Sequence, residues 1–247
     1  GVAVATAIAE VSALIFGLFL CYDRFKDNSW PSLQAIFLTE RLKNMLSINL
    51  DILLRSIMLQ AIFVSFLLYG GKFGDVKLAA NQILLQFLHI AAHGLDGFAF
   101  AAETLVGQAF GKKDRTILRK SVTVTSKLAF LLCLIMAIIF FFIGSSLIDV
   151  MTTAEDVRLE AKGYIIFIVL VPILGVFPYM LDGIFVGAMK TKDMRNMMFI
   201  SLIFYLLALI LLVPHFENIG LWSALLISFI VRGVTLLLRY PSLEKSI

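Results

Sequence analysis

Between residues 78 and 110, Gln82, Gln86, His89, His93, Asp96 and Glu103 recur at intervals that place them within roughly a third of one helix circumference. Their neighbours are mostly Leu, Ile, Ala and Phe. An imidazole takes or releases a proton near neutral pH, and Asp96, one turn from His93, favours its charged form. Such a face can relay protons or contact a cationic solute. Packing of a satisfied polar face between helices accounts for the same pattern, and both readings stand at this level. His89 and His93 are also spaced to chelate a metal from one turn. Two imidazoles make a weak site, however, and His215 lies far off beside Pro214, so no metal is expected. Gly94 and Gly97 soften the turn around His93.

Asp51 and Arg55 are spaced i,i+4 and are expected to pair on one helix face. Their roles divide between a structural ion pair and a gate that opens in one conformational state. Asp182 follows Pro172 and Pro178, residues that bend transmembrane helices and free backbone carbonyls. It suits an ion contact or a helix-packing partner. Glu103 and Gln108 approach a Gly-Lys-Lys-Asp run and read as helix-end structure or as part of a gate.

These groups have to be positioned by membrane helices. The chain is 60% hydrophobic, far above a soluble domain, with a mean hydropathy of +0.96. Runs near the ~20 residues that cross a hydrocarbon core occur at Val2–Tyr22, Leu46–Tyr69, Leu78–Phe110, Val122–Ile143, Gly163–Gly187, Met197–Val213 and Leu221–Leu238. Strand alternation is absent, which leaves helices as the way to satisfy the backbone in lipid. The expected fold is an all-α polytopic bundle of about seven spans. Residues 1–22 form one helix and 23–45 a polar linker along the membrane face, with Trp30 and Phe37 at headgroup level. Residues 46–240 form a six-helix unit and 241–247 a tail.

The net charge of +4 is concentrated in particular connections, which argues against nucleic acid as a partner. Lys112, Lys113, Arg115, Arg119 and Lys120 crowd one loop; Lys190, Lys192 and Arg195 another; Arg24, Lys26, Arg41 and Lys43 a third. Seven alternating spans put these loops and the tail on one side, expected to be cytoplasmic, with Gly1 outside. The two cysteines, Cys21 and Cys133, provide no disulfide framework or metal spacing. An apolar helix starts at Gly1 with no basic leader region before it, so a signal peptide is not expected and the chain reads as the later part of a longer protein. A short echo, Leu95-Asp96-Gly97-Phe98 and Leu181-Asp182-Gly183-Ile184, falls on two helices that both run inward, an arrangement met in transporters built from repeats.

The stretch LAANQILLQFLHIAAHGLDGFAFAAETLVGQAFGKKDRTILR from Leu78 to Arg119 resembles the multidrug and toxic compound extrusion (MATE) family, and within it the DinF-like branch. Asn49–Arg55 and Leu181–Met197 add to the resemblance. It implies two six-helix lobes around a central cleft that opens alternately to each side. On that template Val2–Tyr22 resembles the last helix of the first lobe and residues 46–238 the second lobe, the other five helices being absent. The proton-coupling aspartates of this branch would lie in that missing lobe. Sodium-coupled relatives carry a glutamate in the helix matching 46–69, where this chain has only Asp51 and Gln60, so H+ is expected over Na+ as coupling ion. The implied function is secondary-active export of small cationic or amphipathic organic compounds across the bacterial cytoplasmic membrane, with no cofactor and no covalent chemistry. A lipid-intermediate flippase of the same superfamily and a His89/His93 intramembrane metalloenzyme are the alternatives. The 22 Phe and 9 Met suit adaptable apolar binding as well as lipid contact.

Overall fold

The computed structural model describes residues 1–25 and 39–247, all in helices, short turns or caps. Two compact units divide at Leu46: Gly1–Leu46 and Ser47–Ile247. The first unit contains α1 (Val2–Phe25), whose apolar side chains are exposed. The expected linker at 23–45 falls largely on residues 26–38, outside the described residues. So do Trp30 and Phe37.

Helix α2 (Thr39–Gly71) leads into the second unit and starts before the expected Leu46. It is followed by α3 (Asp75–Lys112), α4 (Arg115–Met151), the short α5 (Glu155–Gly163), α6 (Ile165–Gly187) and α7 (Thr191–Lys245). Among the described residues, six helices are long and apolar enough to cross a membrane. The sixth, α7, is two spans in one: at Glu217 the backbone leaves helical geometry (φ 46°, ψ −122°) between residues 191–216, here α7a, and 218–245, here α7b. The all-α bundle and the spans expected from composition are therefore present.

The turns are chemically defined. Lys113 caps α3 in the left-handed region, and Asp114 starts α4 by accepting hydrogen bonds from the N–H groups of Thr116 and Ile117 at 2.8 and 3.1 Å. At the opposite end, Asn81 and Asn218 exchange side-chain hydrogen bonds at 2.7 and 3.0 Å, and Trp222 donates to Asn81 Oδ1 at 2.9 Å. All three are fully buried. This closed polar network ties the start of α3 to the hairpin of α7, and Lys77 pairs with Glu217 beside it at 2.6 Å.

The core falls into two apolar clusters. One gathers Phe66, Leu84, Tyr205 and Trp222 toward the asparagine end. The other gathers Val106, Phe185, Met194 and Leu236 toward the basic loops. Helices α3 and α6 are the most closely packed pair. A Cβ on Gly183 would meet the carbonyl oxygen of Ala99 at 2.3 Å, and one on Gly187 that of Glu103 at 2.3 Å. The Gly-x-x-x-Gly spacing lets the backbones touch, as small residues do where helices pack without a hydrophobic drive. Gly183→Ala and Gly187→Ala are each expected to cost ~1–3 kcal/mol through forced separation of α3 and α6. Gly97→Ala, where a Cβ meets nothing within 4 Å, should be neutral or stabilising. Thermal unfolding of the three variants in detergent checks this.

Candidate functional site

Between the two apolar clusters lies a group of buried charges. Asp182 on α6 accepts from the guanidinium of Arg55 on α2 and forms an ion pair with that of Arg232 on α7b, both at the same oxygen, Oδ2. Arg232 is 3% exposed and Asp182 6%. Asp96 of α3 and Tyr179 of α6 stand within electrostatic range of Arg55, and Tyr179 also faces Arg232. Two arginines thus share one aspartate, with the second, Asp96, within electrostatic range. Burying an ion is costly unless an opposite charge and hydrogen bonds answer it, which explains why helices distant in sequence converge here. The set is not saturated: Asp182 Oδ1, the Nε atoms of Arg55 and Arg232, and Arg232 Nη2 are buried without a hydrogen bond. Buried polar groups normally have a partner, so this centre keeps capacity for another donor or acceptor.

The expected Asp51–Arg55 pair is corrected. Arg55 turns to Asp182, while Asp51, 7% exposed, accepts from Arg195 Nη1 at 2.5 Å and from the Thr191 hydroxyl at 3.2 Å. One helical turn separates two charges whose stronger partners lie on other helices. Asp51 therefore staples α2 to the start of α7a near the basic loops, and Arg55 belongs to the central cluster.

The stripe of α3 is placed as follows. Gln82, Gln86, His89 and His93 are exposed, turned away from the core of the second unit, and Asp96 and Glu103 are half-buried. Along this one helix, the polar face runs from exposed amides and imidazoles to the half-buried Asp96, which lies within electrostatic range of Arg55. His93 Nδ1 lies 2.6 Å from the carbonyl oxygen of His89, so a proton there is donated to the backbone and Nε2 is left to face outward. The His89 ring meets Phe63 edge-on at 6.2 Å. Among the described residues no group of three or more His, Cys, Asp or Glu gathers in a way that could hold a metal. Glu103 lies beyond Asp96 toward the basic loops, and its backbone forms the contact with Gly187.

Two residues escaped the sequence reading. Arg232 stands alone in the apolar run Leu221–Leu238, and an unpaired cation at that depth was itself a signal that an acid had to meet it. Arg195 reads as part of a basic loop, but it reaches Asp51. The Leu-Asp-Gly echo, in contrast, has a structural counterpart: both leucines are buried, and Arg55 pairs with Asp182 while Asp96 lies within its electrostatic range.

Comparison with known proteins places this arrangement. The MatE family model matches residues 52–212. DNA damage-inducible protein F of Escherichia coli (strain K12) is 32% identical over 238 residues, covering 96% of this chain and 51% of that protein. The chain spans about half the length of this curated relative. Among solved structures, the Vibrio cholerae MATE transporter VcmN in its bent form superposes with a TM-score of 0.83 at 19% identity, over 97% of this chain and 56% of that one. A MOP superfamily transporter from Pyrococcus furiosus, whose binding pocket is described as of reverse polarity, superposes with a TM-score of 0.72 at 15% identity, over 80% and 44%.

Removing the shared carboxylate leaves two arginines uncompensated. Asp182→Asn is expected to destabilise the protein by ~3–5 kcal/mol, and adding Arg232→Met to it should recover part of the loss. Asp51→Asn, at the edge of the basic end, should cost less than Asp182→Asn. Thermal melts of purified variants in detergent read out all three.

Proposed function

This chain belongs to the MatE family, and from that premise we propose that it forms the carboxy-terminal part of a secondary-active exporter, which expels small cationic or amphipathic organic compounds in exchange for H+. The observation that carries this reading is the continuous polar track from Gln82, Gln86, His89 and His93 into Asp96 and the Arg55–Asp182–Arg232 cluster. In the intact protein the track faces a cleft shared with an amino-terminal lobe, the basic loops lie in the cytoplasm and Gly1 on the opposite side. The membrane is the bacterial cytoplasmic membrane.

Arg55 stands between two aspartates and is the movable charge of the scheme. A proton arriving through His93 neutralises Asp96 and leaves Arg55 wholly to Asp182. Loss of that proton restores a carboxylate that competes for Arg55 and can hold a cationic substrate. Substrate and proton then favour different lobe arrangements, and only such a difference in affinity can shift a conformational equilibrium. The wider family includes lipid flippases, which would need a net cationic cavity for a phosphate-bearing substrate. The charges here balance, two against two.

In vesicles carrying the full-length protein, Asp96→Asn should lower proton-driven efflux of a cationic dye by at least tenfold, and His93→Gln by less. Lys113→Gln in the loop should leave it intact. Exchange of Na+ for choline should have no effect. Unchanged efflux in Asp96→Asn would reassign the stripe to packing, and loss of efflux without Na+ would reassign the ion.

A further inference from the structure

Away from the charge cluster, a lateral groove of about 370 Å³ lies over α6, between α4 and α7b. Met180 and Ile184 form its floor, and Phe130 and Leu237 face each other as its walls. At the basic end its walls are tied together: Arg119 pairs with Glu244, and Arg115 Nη2 donates to the Lys245 carbonyl at 3.3 Å. The groove is therefore open to the side and closed below.

One cation lines this apolar trough. Lys127 sits on α4 about 12 Å beyond Arg119 along the helix axis, among the exposed Leu128, Phe130 and Leu131. Among the described residues no acid pairs with it. A lysine on a lipid-facing helix ordinarily snorkels toward the headgroups along its own aliphatic stem. Here that path leads to Lys120, seven residues earlier on the same helix face and also exposed, with no acid paired to it among the described residues. Two ammonium groups thus stand in line along α4, Lys127 at the apolar trough and Lys120 nearer the basic end. Basic pockets between transmembrane helices recognise anionic headgroups in this way, and the volume falls within the range of ordinary ligand sites.

We propose that the groove holds an acyl chain of an anionic phospholipid from the leaflet at the basic end, with its headgroup bound by Lys127 and Lys120. The charge selects the lipid: a zwitterionic headgroup brings its own cation and gains less from two lysines. Leu181, at the groove, precedes Asp182 in sequence, so the bound chain braces α6 one residue from the buried cluster.

Native mass spectrometry of the full-length protein, titrated in detergent with phosphatidylglycerol or phosphatidylcholine, tests the site. Phosphatidylglycerol should bind at least tenfold more tightly than phosphatidylcholine. Lys127→Gln and Lys120→Gln should each weaken it about fivefold, with Lys127→Arg close to the parent. Ser126→Trp, which fills the trough from its wall, should abolish both lipids' retention, and Lys72→Gln near the opposite end should change nothing. Equal affinity for the two lipids overturns the proposal. So does parental phosphatidylglycerol binding by Lys127→Gln or Ser126→Trp with native circular dichroism. Should Lys127→Gln fail to fold, Ser126→Trp and Lys120→Gln decide the question alone.

Discussion

A single carboxylate shared by two arginines inside an apolar bundle is the interaction around which this protein is organised. Asp182 is held by Arg55 from α2 and Arg232 from α7b, helices more than a hundred residues apart in sequence for the first pair. An ionised group in such a place needs both charge and hydrogen-bond compensation, so the three helices cannot separate independently. The fit of α6 against α3 follows from the same demand. Gly183 and Gly187 strip that face of side chains where α3 approaches, and this draws Asp96 into range of Arg55. The two ends are fixed by separate polar devices, the Asn81–Asn218–Trp222 network at one and Asp51 with Arg195 and Thr191 at the other.

The polar face of α3 leads from that centre toward exposed side chains. Exposed imidazoles and amides on a membrane helix are costly against acyl chains and normally look into protein or water. Within the second unit the core does not cover them. In the exporter proposed above, a companion half with water between covers them, and the charge cluster then stands at the end of a wet path. Unsatisfied donors and one free carboxylate oxygen at that end are what a site that changes partners requires, whereas a purely structural cluster would be expected to close all its bonds.

Much of the fold was legible in the residues, because membrane spans are written in composition over some twenty positions. The break in α7 was legible too, since Pro214–Gly220 interrupts two apolar runs with polar residues. Pairings were not. The i,i+4 spacing of Asp51 and Arg55 is local information, while their partners Arg195 and Asp182 lie on helices whose rotation the sequence of α2 does not encode. Arg232 was passed over because one charge in an apolar run lowers the hydropathy hardly at all. The Asp96 and Asp182 echo is visible as a repeat, but that Arg55 pairs with one aspartate within electrostatic range of the other depends on the packing of α3, α6 and α2.

Water access to the α3 stripe tests the account most directly. With Cys21 and Cys133 replaced, His93→Cys and Gln86→Cys in the full-length protein are exposed to a membrane-impermeant, charged thiol reagent in intact membranes and inverted vesicles. Rapid labelling is expected at both positions, with a rate that depends on the side of addition, and none at Ile138→Cys among the exposed apolar residues of α4. Stripe cysteines that react only with a lipid-soluble reagent, or with neither, would contradict it.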